Sequence, residues 1–308
     1  MFRLGTRKSR LAMVQARAVQ QALQDLGAPC RIVELESKGD TDKSTPLYAM
    51  DGNAPGVFTK RLEEALLSGE VDLAVHSLKD LPTQLPDGLS LSAVSPREVT
   101  FDCLILSQKS VDQNAEFKIK KNARVGTSSL RREAQLISRR PDVKVEPIRG
   151  NVPTRVEKVR NGEIDGVILA GAGIRRLEVT FEDLLAIQLP EEIFVPAPGQ
   201  GAIGIETRSD LPPALKNALS QYNDDLCALE TSVERKILRR LEGGCSLPLG
   251  VRCHSVKEKL EVSVFLGIDE MQAGERSWSG FYHHRMSGEV LEEIVEDVYL
   301  HFSKIRGK

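Results

Sequence analysis

Aromatic side chains are scarce in this chain: phenylalanine, tyrosine and tryptophan make up 5% of its 308 residues, and there is one tryptophan. A protein that grips single strands by base stacking relies on such rings. Charge excess is missing too, since 42 lysines and arginines meet 44 aspartates and glutamates for a formal net charge of -2. General nucleic-acid binders work through a basic surface that displaces counterions, so nucleic acid is not an expected partner. No apolar run approaches the roughly 20 residues of a membrane-spanning helix, which leaves no expected membrane partner either. The first residues lack the basic start, apolar stretch and cleavage site of a secretory signal, so the cytoplasm is the expected compartment. Cysteines number five (Cys30, Cys103, Cys227, Cys245 and Cys253), an odd count with no CxxC pair. There they are expected as thiols, and Cys253-His254 has no partner at metal-ligand spacing, so no metal is expected. With no long exposed apolar stripe to cover, a monomer is expected.

What the chain does contain is one plan written twice. Arg3-Leu4-Gly5-Thr6 ends a strand, and Ser9 is placed to cap a helix with Leu11, Val14, Ala18, Ala22 and Leu26 as its buried stripe. A strand over Ile32–Leu35 follows. Arg124-Val125-Gly126-Thr127 ends a second such strand. There Ser128 or Ser129 caps a helix burying Leu130, Ala134 and Ile137, and a strand over Val143–Val145 comes next. Downstream, a helix carrying Phe58, Leu62 and Leu66 leads to Gly69-Glu70-Val71-Asp72 and the strand Leu73-Ala74-Val75. Its counterpart carries Val152, Val156 and Val159, then Gly162-Glu163-Ile164-Asp165 and Val167-Ile168-Leu169. Two matches in the same order predict a duplicated α/β domain. Ligands of such parallel sheets bind beyond the carboxyl ends of the strands, where both Gly-Thr turns fall.

The last third differs. Asp224–Leu241 reads as an amphipathic helix burying Leu226, Leu229, Val233, Ile237 and Leu241. Strands near Val251, Val262–Val264 and Trp278–Phe281 and a helix from about Ser287 to Phe302 complete a small α+β domain. The boundaries predicted are 1–96 with 197–215 for the first domain, 97–196 for the second and 216–308 for the third. Residues 202–206 carry the chain back to the first domain.

Arginines gather at the strand-to-helix turns: Arg7, Arg131, Arg132, Arg149, Arg155, Arg175 and Arg176. A guanidinium holds a carboxylate through two parallel hydrogen bonds and stays charged at physiological pH. A scatter of surface salt bridges would explain any one of them. A set at equivalent turns favours a cleft for a polycarboxylate. Phosphate fits less well, since no Walker-type glycine loop is present.

Asp80, in His76-Ser77-Leu78-Lys79-Asp80-Leu81-Pro82, is the leading acid/base candidate, with a simple turn or cap aspartate as the alternative. His76 has no serine or cysteine partner in a nucleophile-elbow context, which argues against a hydrolase triad. Cys245 follows two glycines and the pair Arg239-Arg240, which leaves room for a bulky group and favours a thiolate. The alternative is a small buried hydrophobe.

Six motifs in order resemble those of the hydroxymethylbilane synthase (porphobilinogen deaminase) family. They are Gly5-Thr6-Arg7-Lys8-Ser9, His76-Ser77-Leu78-Lys79-Asp80-Leu81-Pro82, Gly126-Thr127-Ser128-Ser129-Leu130-Arg131-Arg132, Arg149-Gly150-Asn151, Pro198-Gly199-Gln200-Gly201-Ala202 and Glu242-Gly243-Gly244-Cys245. The resemblance implies an α/β fold of two similar domains like type II periplasmic binding proteins, plus the small third domain. It implies a transferase of haem and porphyrin (tetrapyrrole) biosynthesis that condenses four porphobilinogens head to tail, losing ammonia at each step, and releases hydroxymethylbilane by hydrolysis. It also implies a dipyrromethane cofactor, bound through a thioether to Cys245 and contacted by Lys79, Asp80, Ser129, Arg131 and Arg132. Asp80 then stabilises the cationic azafulvene formed on deamination, with Lys79 beside it, while Arg7, Ser9, Arg149, Arg155, Arg176 and Gln200 hold substrate.

Two departures stand out. Family members commonly carry a Gly-Lys-Gly-Leu-Phe pattern where this chain has Asn53-Ala54-Pro55-Gly56-Val57-Phe58, and a proline where it has Arg10. The first points to different loop contacts, for instance from Lys60 or Arg61, and the second adds a cation near the cleft mouth. The competing reading is a non-catalytic binding or sensor protein for a small organic anion, which needs neither Asp80 nor Cys245.

Overall fold

A computed structural model describes residues 1–36, 59–241, 247–272 and 275–305. In the first unit β1 (Phe2–Arg7) runs parallel to β2 (Cys30–Leu35) and β3 (Leu73–Ser77), and β4 (Leu89–Val94) lies at the far edge. The second unit repeats this with β6 (Arg124–Gly126), β7 (Lys144–Glu146), β8 (Gly166–Ala170) and β9 (Leu184–Gln188).

Each sheet has five strands, and its one antiparallel member is supplied at a crossover. In the second sheet this is β5 (Asp102–Ser107), inserted between β8 and β9 as the chain arrives from the first unit. In the first it is β10 (Ile203–Arg208), inserted between β3 and β4 as the chain returns. The orders β2-β1-β3-β10-β4 and β7-β6-β8-β5-β9 therefore match strand for strand. Two similar domains exchanging a strand in this way have the arrangement of type II periplasmic binding proteins.

Local chemistry sets the helix ends. Helix α1 (Arg10–Asp25) starts at Ser9, whose hydroxyl accepts the Ala12 amide, and stops at Gly27, whose φ of 78° ends the right-handed turn. The stripe it buries is Gln15, Ala16, Val19 and Leu23, rotated from the expected one, and Ala18 is exposed. Apolar residues surround most of this helix, so periodicity alone does not select the inward face. Leu23 meets Leu4, Leu73 and Ile205 in a core closed from the same side by α6 (Pro213–Tyr222), through Leu215 and Leu219. Each fully buried leucine there contributes about 1.5–3 kcal/mol of transfer free energy. The other face of the sheet is covered by α2 (Lys60–Leu67) through Leu62, Ala65 and Leu66. Phe58, expected on this helix, lies outside the described residues.

In the second unit α3 (Leu130–Arg139) and α4 (Val152–Arg160) cover opposite faces of the sheet, and α5 (Gly171–Arg176) follows β8 directly. Asn151 caps α4 by accepting the Thr154 amide at 2.9 Å. Ser129 occupies the cap position of α3 without a side-chain cap bond, and Ser128 instead donates its hydroxyl to the Ile148 carbonyl. Ile137, expected in the core, is half-buried.

The third unit is a three-stranded antiparallel sheet of β11 (Leu249–Val256), β12 (Lys259–Gln272) and β13 (Glu275–Gly288), packed against α7 (Asp225–Arg240) and α8 (Leu291–Ile305). Ser287 is still paired with Glu261 in β13, so the last helix begins later than expected. Helix α7 departs more instructively. Leu226 and Leu229 are 55% and 42% exposed, while Glu230 and Glu234 are buried. Those carboxylates have partners from other segments, Arg97 and Arg252, which hydrophobic periodicity cannot register.

Candidate active site

The carboxyl ends of the parallel strands of both sheets open on one cavity of about 490 Å³. Arg7 reaches it from the end of β1, Ser9 and Arg10 from the start of α1, and Lys79 from the 3₁₀ turn Leu78–Asp80 after β3. From the second unit come Arg132 on α3, Arg149, Arg155 on α4 and Arg176 on α5, and from the return crossover Gln200. Lys8 lines it as well but is paired with Glu36 at 2.7 Å. No aspartate or glutamate is in the wall among the described residues. Leu11, Val152, Leu169 and Leu177 supply flat apolar surface between the cations.

Electrostatics show how exposed to each other these charges are. Burial lowers the Arg155 pKa to about 10, and the neighbouring Arg132 and Arg149 lower it further toward that value. Its Nε donates to the Gly150 carbonyl at 2.7 Å, and no carboxylate among the described residues contributes to its shift. Burial likewise lowers the Arg176 pKa, only partly offset by Glu98 and Tyr222, and its Nη2 donates to the Gly201 carbonyl. Lys79 is pulled down to about 8, mainly by burial, with Asp80 opposing and Arg132 adding to the shift. A buried cation without a counter-ion is costly, and a carboxylate ligand repays that cost.

Asp80 faces a smaller adjoining recess of about 80 Å³, which shares Arg7, Ser9, Leu11, Gln15 and Ser77 with the main cavity. Its carboxylate accepts no hydrogen bond among the described residues. His76 also lines this recess, but its Nε2 stands 3.0 Å from the buried Glu206 carboxylate and no serine or cysteine nucleophile is paired with it among the described residues, in keeping with the argument against a hydrolase triad.

Besides Asp80, which lines only the adjoining recess, two predicted ligands do not stand in the cavity wall. Arg131 is buried with Nη1 on Asp102 Oδ2 at 2.7 Å and on the Val195 carbonyl at 2.8 Å, and Ser129 is not part of the lining. Arg132 does line the cavity while its Nη2 holds Asp102 Oδ1 at 2.7 Å. Asp102 was not singled out from the sequence; its one signal there is a carboxylate opening the apolar run Cys103-Leu104-Ile105-Leu106. Gln15 and Ser77 were missed as site residues too. Gln15 is a buried amide on α1 whose Nε2 donates to Ser77 Oγ at 2.9 Å. A glutamine inside a helix stripe is the available clue.

Gln200 is 1% exposed, and its Nε2 donates to the Thr100 carbonyl and to Asp102 Oδ1 at 2.6 and 3.0 Å. Both partners are acceptors, which fixes the amide orientation, and Oε1 is left as a buried acceptor without a partner. Cys245 and the 53–58 loop lie outside the described residues. The other four cysteines are free thiols, and burial pushes them up to about 11 (Cys30, Cys103) and about 12 (Cys227, Cys253). No described helix is long and apolar enough to cross a membrane.

The family model for porphobilinogen deaminase, dipyromethane cofactor binding domain, matches residues 2–215. Porphobilinogen deaminase from a Nitratiruptor species is 39% identical over 96% of this chain and 93% of its own length. That of Syntrophotalea carbinolica is 42% identical over 84% of this chain and 80% of its own. Among solved structures, the periplasmic VFT2 domain of BvgS from Bordetella pertussis matches at 20% identity and a TM-score of 0.39, over 70% of this chain and 80% of that one.

Proposed function

The chain belongs to the porphobilinogen deaminase family, and from that premise we propose how its own residues divide the work. The reaction is the family's: a transferase of porphyrin biosynthesis joins four porphobilinogens head to tail, with loss of ammonia, and releases hydroxymethylbilane. That assignment displaces the alternative of a non-catalytic organic-anion sensor.

The cavity fits the dipyrromethane cofactor of the family. Each pyrrole carries two carboxylates, and the wall offers half-buried cations with no acid in the lining among the described residues, together with the Oε1 of Gln200, which has no partner among them, for an N–H donor. When bound, the cofactor supplies the nucleophilic pyrrole carbon to which the first substrate is joined. Cys245 is its proposed attachment point. The four described thiols are poor nucleophiles by their raised pKa values, while Cys245 follows the C-cap of α7 by a short glycine-containing segment.

Arg7, Arg149, Arg155, Arg176 and Lys79 hold acetate and propionate groups, with Ser9 and Gln200 as neutral contacts. Arg132 adds a further cation, oriented by Asp102. Arg131 supports it from behind by holding the second Asp102 oxygen, so its part in cofactor binding is indirect. Ser129 places the first turn of α3. Asp80 presents its carboxylate to the positive charge that develops as ammonia departs, a fixed charge opposite a transient one. Lys79 keeps one carboxylate in register beside it. Holding the growing product in the cleft makes every addition effectively intramolecular on the chain side.

We keep the expected domains, 1–96 with 197–215, 97–196 and 216–308, except at the boundary between the first and the third. Because α6 packs into the first core, the first is best extended to Tyr222. The absence of a disulfide among the described cysteines supports a cytoplasmic setting, and we assign a monomer acting on porphobilinogen alone. The observation that carries the role of Asp80 is a carboxylate with no hydrogen-bond partner among the described residues, beside a chamber lined by cations. Asp80→Asn tests it: the purified variant is expected to retain the cofactor and lose nearly all turnover. Full turnover removes Asp80 from this role.

A further inference from the structure

Helix α7 belongs to the third unit, yet one of its side chains is spent on the turn that carries Lys79 and Asp80. Arg235 donates from Nη1 to the Leu81 carbonyl at 2.8 Å and to that of Leu78 at 3.4 Å, and from Nη2 to the Pro82 carbonyl at 2.6 Å. Three carbonyl oxygens of one short segment converge on a single guanidinium. The Leu78 carbonyl also accepts the Leu81 amide at 3.2 Å, which closes the 3₁₀ turn, and the Leu81 and Pro82 carbonyls lie just past it, so a planar fork of donors ties the turn to the segment that leaves it.

The same turn is fixed from its other side. The Leu78 amide donates to the Ala202 carbonyl at 3.0 Å, and Gly199, with φ of 74°, packs so closely that a Cβ there would stand 3.3 Å from the Lys79 nitrogen. Gly199 is itself held by α7, since its amide donates to Glu234 Oε2 at 2.7 Å. Glu234 also takes both Nη atoms of Arg97, at 2.9 and 2.8 Å, on the outward crossover. Neighbouring residues of one helix thus grip the catalytic turn and both crossovers between the first two units. Leu241 caps that helix, four residues before Cys245.

We infer that Arg235 is a positioning residue of the reaction, fixing the Leu78–Pro82 backbone so that Lys79 and Asp80 stand at a set distance from the pyrrole chain tethered through α7. The inference rests on the roles given above to Asp80 and Cys245. It makes the third unit part of the catalytic geometry, because the helix that leads to the tether also sets the place of the carboxylate. A displacement of about 1 Å at a reacting centre costs up to roughly 100-fold in rate.

The test compares Arg235→Gln, Arg235→Lys and Asp80→Asn as purified holoenzymes, by steady-state kinetics and by amide hydrogen exchange on peptides spanning 73–85. Arg235→Gln is expected to load its cofactor, to lose roughly 10- to 100-fold in kcat with a smaller change in KM, and to exchange faster at 78–82 than wild type while β11 and β12 keep their protection. Arg235→Lys, which still reaches one or two carbonyls, is expected to recover part of kcat and part of the protection. Wild-type kcat and wild-type exchange at 78–82 in Arg235→Gln overturn the inference. So does a uniform rise in exchange through α7 and the third sheet, which marks a general structural role. The two readings separate cleanly: an active Asp80→Asn beside a loosened turn in Arg235→Gln removes Asp80, whereas an inactive Asp80→Asn beside an unaltered Arg235→Gln removes Arg235.

Discussion

Asp102 receives Arg132 on Oδ1 at 2.7 Å, with both side chains buried and Arg132 standing in the cavity wall. Arg131 takes Oδ2 at the same distance, and Gln200 adds a third donor. Burial by itself raises the Asp102 pKa, but the charges and hydrogen bonds of the two arginines outweigh it and hold the carboxyl well below the usual range. Of the two arginines expected from the sequence to be ligands, one thus stands in the cavity wall and one behind it, joined by a carboxylate.

Asp102→Asn leaves two buried guanidiniums without their counter-ion, a loss of about 3–5 kcal/mol for a broken buried pair. A clear fall in the thermal midpoint is expected, accompanied by lower turnover as Arg132 loses its orientation. The pH dependence has a definite sign. A carboxyl depressed in the folded state stabilises the protein fully above its unfolded value of about 3.9, and that contribution drains away as pH falls below it. Acid titration of wild type and Asp102→Asn, followed by circular dichroism, checks both points, and parallel acid unfolding curves would argue against them.

Arg155 offers the opposite balance. It is a half-buried cation with no carboxylate at ion-pair distance among the described residues, so its folded state carries part of the cost of the charge until an anion arrives. Arg155→Gln is expected to leave the cofactor-free protein as stable as wild type or more so. Binding should weaken by roughly 10- to 100-fold, the value of a charge-assisted hydrogen bond of about 1.5–3 kcal/mol. Calorimetric melts of the apo form and KM for porphobilinogen read the two halves separately.

Lys79 titrates within reach of an ordinary assay, having been lowered to about 8 chiefly by burial. Its protonated form is the one that holds a carboxylate. Above pH 8 the free enzyme loses that form, so kcat/KM is expected to decline by up to tenfold per pH unit on the alkaline side. Lys79→Arg keeps its charge throughout and should flatten the decline, whatever it does to the absolute rate. An alkaline limb identical in both proteins removes Lys79 as its source.

Arg10 is the chain's own addition to the cleft mouth. It is exposed, lines the cavity, and has no ion-pair partner among the described residues. Exposed pairs are worth about 0.2–1 kcal/mol, so Arg10→Pro should slow elongation by no more than about fivefold. The difference should fade in high salt, where a Debye length near 3 Å at about 1 M screens an exposed cation. Rapid-quench measurement of each addition at low and high salt reads it directly.

The duplicated plan was legible because it is local: a strand, a Gly-Thr turn and the helix that follows write themselves into a few consecutive residues, twice. The cations at Arg7, Lys79, Arg149, Arg155 and Arg176 were legible for the same reason. Buried polar groups were not. Gln15, Asp102, Glu230 and Glu234 are inside because of partners dozens of residues away, and a hydrophobic pattern assigns such positions to the surface. That is why α7 was given the wrong face, with Leu226 and Leu229 inward. The acidic stripe at Glu230 and Glu234, one turn apart beside Cys227 and Val233, was the clue available.

The central claim is an anchored polycarboxylate in an arginine-lined cleft, and intact mass spectrometry of wild type beside Cys245→Ala tests it most directly. Wild type is expected to be heavier than its sequence by one dipyrromethane and to give a colour with Ehrlich's reagent, with the variant at its bare sequence mass. A wild-type holoenzyme at bare sequence mass, or the same added mass in Cys245→Ala, would contradict it.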